Sequence, residues 1–260
     1  MIRFGVVVGV IVAVILISVS LILQGNIESS YLAKAEIIRV GVRTDVQGFG
    51  QTGETGEIQG YDVDVAREVL NRVLGKDKPL EFIPLNSEEA GAGIKYGKID
   101  MGMGFLAEGT ARVNGFMLTT PYYYDNIYAA VTDQGLSSLK DLNEKNVGIL
   151  NSMITQAQAN DYLDKLQISA KVARYFSLED AVADMQNKKI DAFLAPEALL
   201  RQYMGQYNRI DKPVATIGYS IILPSKQEAV EGAMDAAIHA MERDGTLQSL
   251  AKKWGIPYNK

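Results

Sequence analysis

KIDMGMGFLAEGTARVNGFMLTTPYYYD, from Lys98 to Asp125, is the stretch that decides the fold. It predicts a short buried strand, a loop containing Arg112, and an extended segment that begins at Pro121, because short apolar runs bounded by glycines are typical of buried strands. A cation on such a loop suits a carboxylate ligand, since a guanidinium donates two parallel charge-assisted hydrogen bonds. The alternative for Arg112 is a surface ion pair with a neighbouring acid.

On both sides of this stretch, short strand patterns alternate with helical patterns. This alternation predicts an α/β fold with parallel sheets rather than a β-sandwich. The predicted strands are 39–42, 80–85, 99–103, 126–132, 146–150, 172–176, 190–195 and 219–223. The main predicted helices are 61–74, 137–145, 152–166, 197–204 and 229–241, and another begins at Ser177.

The pattern occurs twice. Lys98-Ile99-Asp100 and Lys189-Ile190-Asp191 each precede a strand of small residues, and each set begins earlier with a glycine-containing strand, Val40-Gly41-Val42 or Val147-Gly148-Ile149. The repeat predicts two similar lobes. Folds of this kind bind ligands at the carboxyl ends of their strands, so we expect a cleft between the lobes.

Composition excludes several classes of function. The chain of 260 residues has a net charge of −5 and no basic block, which argues against nucleic acid as a partner. It has no cysteine and one histidine, His239, so thiolate sites, His-rich metal sites and most catalytic triads are excluded. We expect no metal and no cofactor. Asp62 and Asp64 begin a predicted helix, where capping is favoured over a metal pair because no third ligand is near.

The N-terminus departs from this globular pattern. Phe4 to Leu23 is a run of twenty uncharged residues preceded by Arg3, which is long enough to span a bilayer with the N-terminus in the cytoplasm. We expect residues 1–24 to be a retained anchor rather than a cleaved signal, although Ala33-Lys34-Ala35 is a possible cleavage site. Residues 25–36 are then a polar stalk, and the rest of the chain is extracytoplasmic.

Three motifs together resemble those of the bacterial solute-binding proteins of family 3, the amino-acid-binding proteins of ABC importers. They are Gly60-Tyr61-Asp62-Val63-Asp64; Gly97-Lys98-Ile99-Asp100 followed by Arg112 twelve residues later and Pro121-Tyr122-Tyr123 nine beyond that; and Asp244-Gly245-Thr246 with Lys253-Trp254-Gly255. Each motif alone is weak, but their order and spacing match the family over about 37–256.

The resemblance implies a two-lobed, type II periplasmic-binding fold that closes on a small solute. Lobe 1 is expected over 37–132 and 213–260, and lobe 2 over 133–212, with crossovers near Thr132 and Lys212. The resemblance also implies that Arg112 binds the α-carboxylate of the ligand and that the partners are membrane permease subunits of an ABC importer, with a monomeric binding protein. No catalytic activity is expected.

The chain departs from the family pattern where the ligand is bound. Hydroxyl-bearing positions before the arginine are occupied by Gly104, Phe105, Ala107 and Gly109, and the start of the second-lobe helix has Met153, Ile154 and Thr155 near the expected hydroxyls. The acid that holds the ligand's ammonium group falls on Pro196, next to Glu197. Phe49 corresponds to a family aromatic. We expect these ligand contacts: Arg112, Phe49, Asp45, Gly104, Phe105, Ala107, Met153, Ile154, Thr155 and Glu197.

These departures bear on the ligand. A buried ammonium group without partners is costly, so a standard amino acid would bind poorly unless Glu197 or Asp45 compensates. We therefore expect a carboxylate-bearing ligand that is less polar than the usual solutes, or that is not an α-amino acid.

Four alternatives remain open from the sequence. Gly102 to Ala107 fits G-x-G-x-x-A with Asp125 downstream, but no helix pattern follows, which argues against dinucleotide binding. The others are a sensor or receptor module acting with a signalling partner, a dehydratase-like enzyme of the same fold, and a degenerate copy that binds nothing.

Overall fold

The computed structural model describes residues 27–44, 46–75, 78–85, 87–106, 115–133, 135–151, 153–203, 205 and 207–258, with only the backbone of residues 87, 88, 105, 106 and 203. Within these ranges no helix is both long and apolar enough to cross a bilayer. The predicted anchor over 4–23 lies outside the described residues.

The strands are β1 (Ile38–Val42), β2 (Gln51–Thr52), β3 (Ile58–Gln59), β4 (Leu80–Pro84), β5 (Met101–Leu106), β6 (Met117–Leu118), β7 (Tyr123–Val131), β8 (Asn146–Leu150), β9 (Lys171–Tyr175), β10 (Ala192–Pro196), β11 (Asn208–Arg209) and β12 (Ala215–Leu223). The helices are α1 (Tyr31–Lys34), α2 (Tyr61–Leu74), α3 (Ser87–Lys95), α4 (Gln156–Lys165), α5 (Leu178–Gln186), α6 (Glu197–Leu200), α7 (Glu228–Arg243) and α8 (Thr246–Lys253). Single 3₁₀ turns cover Leu139–Leu142 and Arg201–Tyr203, where the sequence predicted α-helix.

The strands pair in the order β4-β1-β5-β12-β7-β10-β8-β9, with β6 beside β12 and β11 beside β7, while β2 and β3 form a separate hairpin. The prediction of parallel sheets holds for β4-β1-β5 and for β10-β8-β9. It is wrong for β7 and β12, which run antiparallel to each other and to the strands beside them. The reason is that these two long strands carry the chain between the two parallel groups.

The buried side chains form two large clusters. The first core surrounds β1, β5 and helices α2, α7 and α8, and it therefore draws on both ends of the chain. The second core surrounds β7, β8 and β10 with α4 and α5, and its buried members run from Ile127 to Val214. A smaller cluster packs α3 against β5 and β12 around Ile94 and Ile99. The two cores correspond to the two halves of the sequence repeat, and the strands β7 and β12 join them.

The repeated Lys-Ile-Asp tripeptide makes the same contacts in both halves. Asp100 Oδ2 accepts the backbone N–H of Arg39 at 2.8 Å, and the N–H of Asp100 donates to the carbonyl of Arg39 at 2.8 Å. Asp191 Oδ2 accepts the N–H of Asn146 at 2.8 Å, and its own N–H donates to the Asn146 carbonyl at 2.8 Å. Each aspartate thus aligns the amino ends of two neighbouring parallel strands.

The repeated strand glycines are explained by the isoleucine of the same tripeptide. A Cβ added at Gly41 would lie 2.7 Å from Ile99 Cδ1, and one added at Gly148 would lie 2.7 Å from Ile190 Cδ1. The isoleucine side chain lies over the glycine in both lobes. A larger residue on the strand would have to displace it.

Residues expected to form a polar stalk are partly folded onto the first core. Ser30 caps α1 by accepting the N–H of Ala33 at 3.2 Å, and Leu32 is completely buried in the first core. The hydroxyl of Tyr31 donates to the carbonyl of Asp100 at 2.9 Å. The predicted stalk over 25–36 is therefore wrong from Ser30 onward, because an apolar residue at Leu32 binds this segment to the lobe.

We predict that Gly148→Ala lowers the free energy of unfolding by about 1–3 kcal/mol, the usual cost of an extra methyl group in a packed core. The added Cβ would lie 2.7 Å from Ile190 Cδ1, 3.0 Å from Tyr175 Cε2 and 3.1 Å from Phe193 Cδ2, so three side chains would have to shift. Urea denaturation followed by circular dichroism measures the change. Gly232→Ala is the control, since Gly232 is exposed on α7 and its added Cβ meets no atom within 4 Å. Equal stability of Gly148→Ala and wild type would contradict the packing.

Candidate functional site

The site predicted from the sequence lies partly outside the described residues. Asp45, Ala107 and Arg112 fall in positions that the structure does not describe, and only the backbone of Phe105 is described. The remaining predicted contacts lie at the carboxyl ends of β1, β5, β8 and β10, or on the loops that follow these strands. The ends of β1 and β5 belong to the first core, and the ends of β8 and β10 belong to the second.

A buried polar network closes the carboxyl ends of β1 and β5. The hydroxyl of Tyr122 donates to Asp62 Oδ1 at 2.8 Å and accepts the backbone N–H of Gly104 at 2.8 Å. Asp62 and Tyr122 are both 1% exposed, and Arg43, at the end of β1, is 2% exposed. Burial raises the pKa of Asp62 to about 7, against the opposing effects of the Tyr122 hydrogen bond and of the Arg43 charge.

This network corrects the interpretation of the two aspartates. Neither caps α2, which begins after Gly60 without a side-chain cap. Asp62 is held by Tyr122, whereas Asp64 Oδ2 accepts hydrogen bonds from the Lys253 ammonium at 2.6 Å and the Trp254 indole at 2.7 Å. Among the described residues no group of three or more possible ligands could hold a metal ion. Both aspartates therefore tie the start of α2 to distant parts of the same lobe.

Arg43 is the residue in this region that the sequence analysis missed. Its signal was a charged residue directly after the buried run Val40-Gly41-Val42, because an arginine is almost never fully buried unless it is paired. Its charge acts on both Asp62 and Tyr219 and lowers the pKa of each against the effect of burial.

Gly104 occupies a position where only glycine fits. Its φ of +75° lies in the left-handed region, and an added Cβ would lie 2.4 Å from Asp62 Oδ2. The missing hydroxyl at this position is therefore a consequence of the buried Asp62, because any side chain here would collide with its carboxylate.

Phe49 lies in an aromatic cluster of the first core. Its ring stacks on Tyr219 with centroids 5.6 Å apart and meets the edges of Tyr61 at 5.8 Å and Tyr123 at 4.9 Å. The residue is 3% exposed. The structure thus holds Phe49 mainly by packing, with a small part of its surface at the wall of a pocket described below.

In the second half, the predicted contacts Met153 and Ile154 are buried in the second core. Thr155 is the N-cap of α4, where its hydroxyl accepts the N–H of Gln158 at 3.2 Å and donates to Gln158 Oε1 at 2.9 Å. The helix begins at Gln156, four residues later than the predicted start at Ser152. The signal was present as Thr-x-x-Gln, which is a capping-box pattern.

Glu197 begins α6 at the carboxyl end of β10. Its Oε1 accepts a hydrogen bond from Arg209 Nη1 at 2.7 Å, and the Arg209 guanidinium lies 4.0 Å from the centre of the Tyr128 ring. The Glu197 side chain keeps 20% of its surface exposed. A ligand's ammonium group would thus meet a carboxylate that already has a cationic partner.

A pocket of about 210 Å³ lies between the two halves near Glu197. Its walls are the loop at Gln47-Gly48-Phe49, the α6 region through Ala198, Arg201 and Gln202, and the C-terminal segment Trp254-Gly255-Ile256. One cation, Arg201, with side-chain amides and aromatic surface in one cleft can hold a small polar solute.

Comparison with known proteins identifies the family. A model of the bacterial extracellular solute-binding proteins, family 3, matches residues 38–257. The chain is 23% identical over 231 residues to the ABC transporter arginine-binding protein 1 of Escherichia coli (strain K12), covering 85% of this chain and 91% of that protein. It is 23% identical over 254 residues to the histidine-binding periplasmic protein of the same strain, covering 92% and 96%. It is 22% identical over 218 residues to the ABC transporter glutamine-binding protein GlnH of Bacillus subtilis (strain 168), covering 82% and 79%.

Solved structures agree on the fold. The ancestral amino acid-binding protein AncCDT-1, a precursor of cyclohexadienyl dehydratase, superposes with a TM-score of 0.69 at 19% identity, covering 86% of this chain and 96% of that one. An ABC uptake transporter substrate binding protein from Streptococcus pneumoniae with bound histidine gives 0.67 at 19% identity, covering 89% and 96%. The predicted two-lobed α/β fold is thereby confirmed. Because the family model spans most of the chain, the protein belongs to the bacterial extracellular solute-binding proteins, family 3.

Proposed function

We propose that the protein is the extracytoplasmic substrate-binding protein of an ABC importer and captures a small carboxylate-bearing solute, an amino acid or a related compound, by closing its two lobes. The family match over 38–257 carries the proposal. The pair of cores joined by β7 and β12 supports it, as do the three curated relatives named above, which are all binding proteins. On the same grounds we propose that the chain has no catalytic activity.

The proposed lobes are those expected from the sequence, 37–132 with 213–260 and 133–212. The ligand site lies between them, with Arg112 holding the carboxylate. The other proposed contacts are Phe49, Asp45, Gly104, Phe105, Ala107, Met153, Ile154, Thr155 and Glu197. In the described part of this set, Met153 and Ile154 are buried and Thr155 is occupied as a helix cap, so contacts from that loop would need a local rearrangement.

The residues around the proposed site offer few partners for the ammonium group of a ligand. Gly104 has no side chain to offer, and the Glu197 carboxylate is shared with Arg209. A ligand without an ammonium group avoids that competition. This supports a carboxylate less polar than the usual amino acids, or one that is not an α-amino acid.

We further propose that the chain acts as a monomer, docks on permease subunits in the membrane, and is tethered there by residues 4–23. The burial of Leu32 supports a retained N-terminus. Cleavage after Ala35 would remove Leu32 from the first core and leave an apolar gap there.

We predict that Arg112→Ala abolishes solute binding by the full chain in detergent. Removing one partner of a desolvated charge pair costs about 2–5 kcal/mol, which is at least about a thirtyfold loss of affinity. Titration calorimetry against amino acids and simple carboxylates measures it. Arg243→Ala, at the exposed end of α7, is the matched control and is expected to bind like wild type. Retained affinity in Arg112→Ala would refute the role assigned to Arg112.

We predict that Glu197→Gln separates amino acids from their deaminated analogues. If Glu197 receives the ammonium group, the variant loses affinity for an amino acid by about tenfold or more, since hydrogen bonds to charged groups contribute about 1.5–3 kcal/mol. Affinity for the analogue that lacks the ammonium group is unchanged. Glu228→Gln, exposed on α7, serves as the control for loss of one negative charge. If wild type and Glu197→Gln bind the amino acid with the same affinity, and likewise bind its analogue with the same affinity, Glu197 is excluded as the ammonium partner.

We predict that the chain recovered from bacterial membranes keeps its N-terminal segment. Intact mass measurement of the purified protein is expected to give the mass of a chain that includes Phe4 to Leu23. A mass that corresponds to a chain beginning at or near Glu36 would refute the tether. The first core would then have to fold without Leu32.

A further inference from the structure

The short helix α6 packs on both cores. Ala198 is a member of the first core, whereas its neighbours Leu199 and Leu200 are members of the second. At the end of the helix, Arg201 Nη2 donates to the carbonyl of Gly255 in the C-terminal segment at 3.0 Å. A rotation of one lobe against the other must therefore rearrange one side of α6.

The first turn of α6 is held by a buried carboxylate on β7. Asp125 is completely buried, and its Oδ2 accepts the backbone N–H of Ala198 at 3.2 Å. The same oxygen accepts the hydroxyl of Tyr219, on β12, at 3.3 Å, and Oδ1 accepts the N–H of Asn126 at 2.8 Å. One side chain thus joins β7, β12 and α6.

Asp125 lies in the part of β7 that joins the two halves of the molecule. β7 pairs with β12 through residues 123–127 and with β10 through residues 127–131, so Asp125 lies in the part of the strand that joins the two halves, opposite Ile217. Tyr219 belongs to the aromatic cluster of the first core that includes Phe49. The carboxylate therefore connects this part of β7 with the first core directly, through Tyr219 and Ala198, and with the second core through the rest of α6.

Charged and titratable groups surround this carboxylate on each packed element. The charge of Glu197 on α6 raises the pKa of Asp125, and the hydrogen bond from Tyr219 on β12 lowers it. Asp125 in turn raises the pKa of Tyr123 on β7, which Arg201 lowers. Arg43 and Asp62 act on Tyr219 from the first lobe. Burial raises the pKa of Asp125 to about 6, with Glu197 adding to the rise, while the three hydrogen bonds oppose it.

The raised pKa of Asp125 makes its contribution to the stability of the fold depend on pH. The folded protein binds the Asp125 proton more tightly than the unfolded chain does, so the stabilisation from this group is present at low pH and is lost as pH rises toward about 6. Above that pH the group is ionised, and its two oxygens act only as acceptors. Below it, one oxygen carries a proton that needs an acceptor, whereas the neighbouring groups are the donor N–H groups of Ala198 and Asn126 and the hydroxyl of Tyr219, of which only the hydroxyl can turn to accept.

We infer that Asp125 is a positioning residue that sets the angle between the lobes through α6. The inference rests on the proposed function, because it concerns capture of a solute by lobe closure. In its ionised form Asp125 holds the first turn of α6, and with it Glu197, in a fixed place relative to β7 and β12. Loss of the charge weakens the hydrogen bond to that turn while Asp125 stays buried, and the relative position of the lobes changes or becomes less defined.

An interlobe distance measurement tests the inference directly. The chain has no cysteine, so Gln248→Cys on α8 and Glu179→Cys on α5 provide two label sites, both exposed, one on each half. Pulsed electron paramagnetic resonance on the full chain in detergent, without ligand, gives the distance distribution. Asp125→Asn is expected to shift or broaden it at about pH 7.5, where wild-type Asp125 is ionised. Asp161→Asn, an exposed carboxylate on α4, is expected to leave it unchanged.

The pH profile separates positioning from a general structural role. On acidification to about pH 5, the wild-type distribution is expected to move toward that of Asp125→Asn. Titration of Asp62 also falls in this range, and it remains in the Asp125→Asn variant. A pH-dependent change of equal size in wild type and in Asp125→Asn would therefore assign the effect to Asp62 and overturn the inference.

Tyr219→Phe keeps the test valid if Asp125→Asn does not fold. It removes one hydrogen bond to Asp125 and leaves the ring in the core, and it is expected to shift the distribution in the same direction. A wild-type distribution in every one of these variants that folds, as shown by native circular dichroism, would overturn the inference. Since no ligand is present, this outcome is independent of the solute screen, and a failed screen leaves the distance result intact.

Discussion

The antiparallel pairing of β7 with β12 is the constraint on which the rest of the molecule depends. Residues 123–127 pair with residues 215–219, and beyond this segment each strand continues into a different partner, β10 for β7 and β5 for β12. Each strand therefore belongs to both halves. A relative motion of the two cores therefore has to bend these two strands or shift the elements that pack on them, as in other hinge motions.

The fold was largely predictable because its main signals are short motifs that occur twice in the sequence. The Lys-Ile-Asp repeat and the strand glycines predicted two similar halves. The structure explains the aspartates by their contacts with Arg39 and Asn146, and the glycines by the isoleucine side chains that lie over them. The antiparallel crossing was not predicted, because strand direction depends on how the two halves are connected. Periodicity carries no information about that connection.

The candidate site was less predictable because its residues are defined by distant partners. The role of Asp62 depends on Tyr122, sixty residues away, and capping was the local interpretation available without that knowledge. The absence of a side chain at Gly104 follows from Asp62 and not from the ligand. Glu197 was correctly placed beside the end of a strand, but its pairing with Arg209 depends on how β11 returns to β7. Arg112, Asp45 and Ala107 stay predictions.

The docking of Leu32 into the first core has a consequence for the tether that we propose. The described chain is already helical at Ile27 and Glu28, so only residues 24–26 separate it from the apolar run that ends at Leu23. Three residues reach at most about 11 Å. Under the proposed tether, the first core would stay in a thin layer over the membrane and would have a high effective concentration at a neighbouring permease. Encounter would then depend on diffusion in the plane of the membrane.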